Sequence, residues 1–220
     1  MISWQIGVGG PVRRLDERLG VGVHDHGLLP RGLAELFSDL GNSGVALPVL
    51  ALVVVGTSWW ARRRSTSRWW GPGAAAALAM AAVPLLIVPL KELFDRPGQP
   101  TAEGLGYYPS GHTATATVAY GACVLLLLPH LRGGHGRALR RGLVAAWALV
   151  SLCVGYGLVR QGYHWPSDVV ASWSLAGALL QCLFLAVARG HVARGGPAAA
   201  FPAVPPEGAD GVPDRPRRRS

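Results

Sequence analysis

The stretch Tyr108-Pro109-Ser110-Gly111-His112-Thr113 opens an apolar run that continues to about Leu128. It reads as the first turn of a membrane helix. Serine is a good N-cap, and the amides of Gly111, His112 and Thr113 then lack intrahelical acceptors. Such a helix start receives anions, because its free N–H groups and the positive end of the helix dipole point the same way. Gly111 lets a ligand oxygen approach the backbone, and His112 places a proton donor beside it. A plain capped helix with an interfacial histidine has the same local sequence, so the surrounding chain has to decide.

Outward from this run, five segments are long and apolar enough to approach a membrane crossing: 43–61, 73–91, 112–129, 143–161 and 167–188. A spanning helix needs roughly 20 such residues. The expected fold class is therefore all-α: an integral membrane bundle of about five spans. Half of the 220 residues are hydrophobic and 15% charged, yet the net charge is +9, a combination typical of small helical membrane proteins. Cys123, Cys153 and Cys182 all lie in apolar segments without paired spacing, so neither a disulfide framework nor a zinc site is expected. Pro84 and Pro89 fall inside the second segment, where a kink is expected. Residues 1–42 interleave Leu15, Leu19, Leu33, Leu36, Phe37 and Leu40 with charges, as amphipathic helices on a membrane surface do. Residues 43–188 form the membrane domain. Residues 189–220, rich in Gly, Pro, Ala and Arg, read as a disordered basic tail.

Orientation follows from the arginines. The connection 62–72 carries Arg62, Arg63, Arg64 and Arg68, and the connection 130–142 carries Arg132, Arg137, Arg140 and Arg141, with no acid in either. By the positive-inside rule these connections and the C-terminal tail are cytoplasmic. The N-terminus and the connections 92–111 and 162–166 are then extracytoplasmic, in a protein of the plasma (cytoplasmic) membrane. The same bias accounts for the positive charge, so no nucleic-acid partner is expected.

With that topology the ionisable residues fall at one side of the membrane. Lys91 and Arg96 end the second segment, Ser110, Gly111 and His112 begin the third, Arg160 and His164 follow the fourth, and Asp168 begins the fifth. Ionisable groups at such depth are costly and usually functional. Lys91, the arginines and the helix-start amides suit a tetrahedral oxyanion such as phosphate. His164 and Asp168 lie four apart in His164-Trp165-Pro166-Ser167-Asp168, with Pro166 suited to a first helical turn. A carboxylate bonded to one imidazole nitrogen leaves the other nucleophilic, and His112 can protonate a departing oxygen. No acid cluster has magnesium-like spacing and two isolated histidines do not make a zinc site, so metal-free, cofactor-free chemistry is expected.

These residues resemble the type-2 phosphatidic acid phosphatases, or lipid phosphate phosphatases, whose fold is shared with bacterial acid phosphatases and vanadium haloperoxidases. Their signature is K-x6-R-P, then P-S-G-H, then S-R-x5-H-x3-D. Pro109-Ser110-Gly111-His112 matches the second part and His164 with Asp168 the end of the third; the likeness covers residues 41–185. It implies a membrane phosphatase acting on a lipid phosphate or diphosphate. His164 becomes phosphohistidine, Asp168 orients it, His112 protonates the leaving group, and Lys91, Ser110 and Gly111 hold the phosphate. The family usually has six spans, against five here. Two arginines are displaced. The position of the first signature arginine is Gly98, with Gln99 after it, while Arg96-Pro97 comes two residues earlier; the Ser-Arg pair falls on Gly157 and Leu158, while the nearby base is Arg160. Arg96 and Arg160 are expected to act as phosphate ligands from these positions. Arg160 would share the face of His164 if the helix continued that far. The alternatives are a weakly active or non-enzymatic lipid-binding or transport protein on the same fold and, among enzymes, a vanadate-dependent haloperoxidase.

Overall fold

The computed structural model describes residues 10–100, 104–131 and 136–192. Within them the chain forms seven α-helices: α1 (Pro11–His26), α2 (Arg31–Asp39), α3 (Ser43–Arg63), α4 (Gly71–Phe94), α5 (Gly111–Leu127), α6 (Gly136–Arg160) and α7 (Pro166–Val192), with one 3₁₀ turn at Leu128–His130. Five are long and apolar enough to span a bilayer, namely Ser43–Arg63, Gly71–Phe94, Gly111–His130, Gly136–Arg160 and Pro166–Arg189. The protein is an integral membrane helical bundle. The tail expected to be disordered lies, beyond Val192, outside the described residues.

The bundle is arranged around α5, which is buried along most of its length and packs against α3, α4, α6 and α7. Its sequence explains the position. Gly111, Thr113, Ala114, Thr115, Ala116, Thr117, Ala119, Gly121 and Ala122 are small, so neighbouring backbones can approach closely. Lipid offers no hydrophobic advantage to helix association, and such contact is what remains. Gly121 shows how tight it is: a Cβ there would lie 2.5 Å from Leu180 Cδ1. Two of the bundle's aromatic polar groups are paired with main-chain carbonyls. Trp147 Nε1 donates to Thr117 O (3.0 Å) and Tyr120 Oη to Leu40 O (2.8 Å). The outward faces of α3 and α4 are lined by exposed Leu52, Val55, Leu78 and Leu85, as lipid contact requires.

Helix ends are set by recognisable local chemistry. Asn42 caps α3 by accepting from Gly44 N (2.9 Å). Pro72 sits in the first turn of α4, which then runs unbroken through Pro84 and Pro89. Asp95, left-handed at φ 41°, ends α4, and Pro97 disfavours a helical conformation at Arg96. The fourth span begins earlier than its apolar run, because Arg137, Arg140 and Arg141 are good helix formers and do not interrupt it. At the arginine-rich end, guanidinium groups lie over tryptophans: Arg63 over Trp59 at 4.1 Å and Arg64 over Trp60 at 3.7 Å.

The N-terminal helices are amphipathic, with α1 facing opposite to a soluble helix. Asp16, Gly20 and His24, spaced by four, form its buried stripe, while Leu15 and Leu19 are exposed. The polar face turns toward the bundle and the leucines turn away. Both α1 and α2 pack on the end of the bundle where α4 and α6 finish and α5 and α7 begin.

Candidate active site

α6 stops at Arg160 for a local reason. Gly162 adopts φ 79°, its N–H donates to Val159 O (3.1 Å), and Tyr163 N donates to Leu158 O (2.9 Å). This is a Schellman closure, open to glycine at little steric cost. His164 follows in the turn, so it does not continue the face of α6 that Arg160 would have shared. α7 starts at Pro166, and Asp168 lies in its first turn, where Asp168 Oδ2 accepts from Trp165 N (2.9 Å). The acid closes back on the residue before the helix, half of a capping box. The same oxygen meets His164 Nδ1 at 3.3 Å. Nδ1–H is thereby the donor, leaving Nε2 with its lone pair. Gln99 Nε2 donates to His164 O (2.7 Å), and the Tyr107 ring stands edge-on at 5.7 Å from the imidazole. The histidine is fixed from three sides.

Ser110 caps α5: its Oγ accepts from Thr113 N (3.3 Å) and Thr113 Oγ1 (3.0 Å). The Thr113 amide is thus occupied, and the free amides at this helix start are those of Gly111 and His112. Ser110 itself is buried, with Ser110 N donating to Asp168 O (3.2 Å) and Ser172 Oγ bonding both Ser110 O and Asp168 O (each 2.8 Å). These bonds lock the starts of α5 and α7 together.

A cavity of about 460 Å³ brings Lys91, His112 and His164 to one space, with Tyr107, Leu158 and Asp39 also on its walls. A second, apolar groove of about 540 Å³ shares Lys91 and His112 with it and runs between α3 and α4 past Leu47, Met80, Val83, Pro84, Ile87 and Val88. Gly111 lies on this groove.

The two arginines go elsewhere. Arg96, only 2% exposed, places Nη1 at 2.7 Å from both Ser167 Oγ and Asp168 Oδ1, and Nη2 at 2.7 Å from Asp16 Oδ2. Arg160 donates through Nε to Leu29 O (3.2 Å) and through Nη1 to His24 O. Neither lines the cavity. The reason for Arg160 is the one its spacing gives: two residues on a helix turn a side chain by about 200°, so Leu158 faces the cavity and Arg160 faces α1 and α2. Arg160→Ala is therefore expected to lower thermal stability by about 1–3 kcal/mol through its abandoned carbonyls, and to change kcat/KM by no more than about threefold. Paired melting curves and kinetics on the folded protein check this; a 100-fold rate loss at unchanged stability would return Arg160 to the phosphate.

Sequence reading passed over Asp16, Asp39 and Tyr107, and gave Gln99 and Ser167 no role. Asp16 alone left a trace, the four-residue spacing with Gly20 and His24. Among the described residues no group of three His, Cys, Asp or Glu side chains is placed to hold a metal ion.

Residues 72–191, more than half of the chain, match the PAP2 superfamily. The chain belongs to the PAP2 superfamily. Its fold is similar to the crystal structure of the first transmembrane PAP2 type phosphatidylglycerolphosphate phosphatase from Bacillus subtilis (TM-score 0.69, 22% identity, covering 84% of this chain and 89% of that one). It is also similar to LpxE from Aquifex aeolicus (TM-score 0.55, 20% identity, covering 79% and 95%). No curated protein matches the chain. The superfamily region begins within α4, so α1, α2 and α3 lie outside it.

Proposed function

We propose that this PAP2 protein is a membrane phosphatase that hydrolyses a lipid phosphate or diphosphate at the extracytoplasmic face, through a phosphohistidine and without a metal. The observation that carries the reading is the junction of the two cavities at Lys91 and His112. One side is lined by ammonium, imidazoles and a carboxylate-oriented nucleophile; the other is an apolar groove. Met80 lies eleven residues before Lys91, or about 16 Å along a helix, which is half of a hydrocarbon core of about 30 Å. A groove of that length suits one leaflet, as an acyl or prenyl tail with its phosphate at the surface requires.

In this reading Lys91 and the amides of Gly111 and His112 hold the phosphoryl oxygens, with Ser110 setting the helix start. Nε2 of His164 attacks phosphorus, and the bond from phosphorus to the lipid oxygen breaks. His112 gives its proton to that oxygen, so a lipid alcohol leaves, or a lipid monophosphate when the substrate is a diphosphate. A water then attacks the phosphohistidine, its proton passes to His112, and inorganic phosphate and free His164 result. Asp168 holds the imidazole throughout. A second reading, a binding protein with little turnover, draws on the cavity's charge: Lys91 is its one fixed cation among the described residues, and Leu158 stands where the family signature carries arginine.

Phosphate release by purified full-length protein from a panel of lipid phosphates, with EDTA present, separates these readings. Hydrolysis resistant to EDTA and inhibited by vanadate is expected. Activity that vanishes with EDTA and returns with magnesium would refute the metal-free mechanism, and binding without release would favour the second reading. The facing of the site is tested separately. A cysteine at Ser65 is expected to react only from the cytoplasmic side and one at Gly104 only from outside; the reverse pattern overturns the orientation.

A further inference from the structure

Asp16 lies outside the superfamily region, in α1, yet it makes more bonds to the site's support than any residue of α2 or α3. Its Oδ2 accepts from Arg96 Nη2 (2.7 Å) and from Ser167 Oγ (2.6 Å), and its Oδ1 from Ser167 N (2.7 Å). All three routes lead to Asp168. Arg96 Nη1 bonds Asp168 Oδ1 directly, and Ser167 is the preceding residue in the first turn of α7. Asp16 is 6% exposed and Asp168 is fully buried, so these contacts are made away from water.

We propose that Asp16 is a positioning residue for the reaction: through Arg96 and Ser167 it fixes the carboxylate of Asp168 behind His164. The proposal rests on His164 being the nucleophile. One guanidinium serves two carboxylates, so each of Arg96's two terminal nitrogens is directed by an acid on a different helix. Without Asp16, Nη2 loses its one partner among the described residues, and the amide of Ser167 loses its acceptor at a helix N-terminus, where an anion is favoured. The bond this controls has no slack. His164 Nδ1 and Asp168 Oδ2 are already 3.3 Å apart, and a further drift of 1 Å ends the hydrogen bond that selects the Nδ1–H tautomer. The seat of α1 is shaped for this purpose by Gly20, where a Cβ would lie 2.6 Å from Trp165 Cε3. Trp165 is itself held by its Nε1 bond to Pro97 O (3.0 Å), and the Arg96 guanidinium lies 5.3 Å from its ring centroid. Two residues that follow α4, Arg96 and Pro97, and two that flank the start of α7, Trp165 and Ser167, thus meet α1 in one buried junction.

The role differs from that of a mere clasp, because it acts on turnover through one carboxylate. Charged and titratable groups facing His164 are Asp168 from α7, Lys91 from α4, His112 from α5, Asp39 from α2 and the tyrosines Tyr107 and Tyr163 from the connecting segments. Asp16 reaches this group through its bonds to Arg96 and Ser167, and Asp168 is the member of it that Arg96 holds.

The test uses full-length protein in detergent micelles. Asp16→Asn is expected to lower kcat by about 10- to 100-fold, as small misplacements of catalytic groups do, with KM within about threefold. Added to Asp168→Asn it is expected to cost little more, since both act on one group. Arg96→Lys, which keeps the charge and loses the fork, and Ser167→Ala test the same link if Asp16→Asn folds poorly, and each is expected to reduce kcat more than KM. A nitrogen spectrum of ¹⁵N-histidine-labelled protein, with the His164 signals assigned by His164→Gln, is expected to show one Nδ1–H tautomer in the parent and a mixture in Asp16→Asn. The proposal is overturned if the folded Asp16, Arg96 and Ser167 variants keep parental kcat, or if the Asp16 and Asp168 losses multiply, which is what a purely structural clasp gives. A parent protein that releases no phosphate from any lipid tested ends the phosphatase reading instead; the tautomer comparison then still decides the link, since it needs no turnover.

Discussion

His164→Gln is expected to reduce phosphate release by about 10⁴-fold or more, the scale of loss when the attacking group of a covalent mechanism is removed. Glutamine retains much of the side chain's size and can donate an amide hydrogen to Asp168 Oδ2, so the buried carboxylate keeps a partner and folding is spared. It has no nucleophilic nitrogen. The parent, quenched rapidly during turnover, is expected to carry an acid-labile phosphoryl group that the variant lacks. Substrate binding should change much less, since Lys91 and the free amides of Gly111 and His112 are untouched. A variant within about tenfold of the parent would remove His164 from the chemistry and direct attention to water attacking the phosphate without an intermediate.

His112→Gln is the second large effect, and its signature is dependence on the leaving group. General acid catalysis contributes about 10²–10⁴-fold where the departing oxygen is a poor leaving group. A lipid alkoxide is one; a nitrophenolate is not, and needs little proton assistance. The variant is expected to lose about 10²-fold or more on a lipid phosphate and less than about tenfold on an aryl phosphate such as p-nitrophenyl phosphate. Measuring kcat/KM on both substrates with the same preparation separates proton donation from simple damage, which lowers both alike. Equal losses on the two would remove His112 from the role of acid. Its position at the junction of polar cavity and apolar groove favours the first outcome, because the bond to be cleaved lies where the two meet.

The spans and the gathering of site residues at one end of the bundle were legible because both depend on local properties. An apolar run of sufficient length forms a helix wherever a bilayer is the solvent, and its ends then place Lys91, His112, His164 and Asp168 at one end of the bundle, where packing brings them together. The four-residue step from His164 to Asp168 was readable for the same reason, with Pro166 marking where the helix begins. The arginines were not. Whether Arg96 meets a ligand or a carboxylate depends on a partner 80 positions away in a helix whose polar stripe faces inward, and nothing near Arg96 in the chain announces Asp16. Arg160 failed for a nearer cause: Gly162 closes α6 before His164, so the shared face that would have turned both toward one ligand does not exist. The inversion of α1 was also hidden. An alternating pattern of leucines and charges fixes two faces, but only the tertiary partner decides which of them is covered.

The packing at Gly157 limits what that position can carry. That position is where the family signature carries serine, and here a Cβ would stand 2.5 Å from Ala34 O and 2.8 Å from Ser38 N, both backbone atoms of α2. A side chain cannot rotate away from a main chain, so any residue larger than glycine has to push α2 off α6. The docked helix and the missing serine are therefore conditions for one another. Serine at this position meets that clash with α2 as it is docked. Relieving the clash means undocking α2, which strips the carbonyl of Leu29 from Arg160 and weakens the hold on α1. The bonds that tie the N-terminal helices to the bundle thus also hold α2 in the seat that leaves no room for a side chain at Gly157.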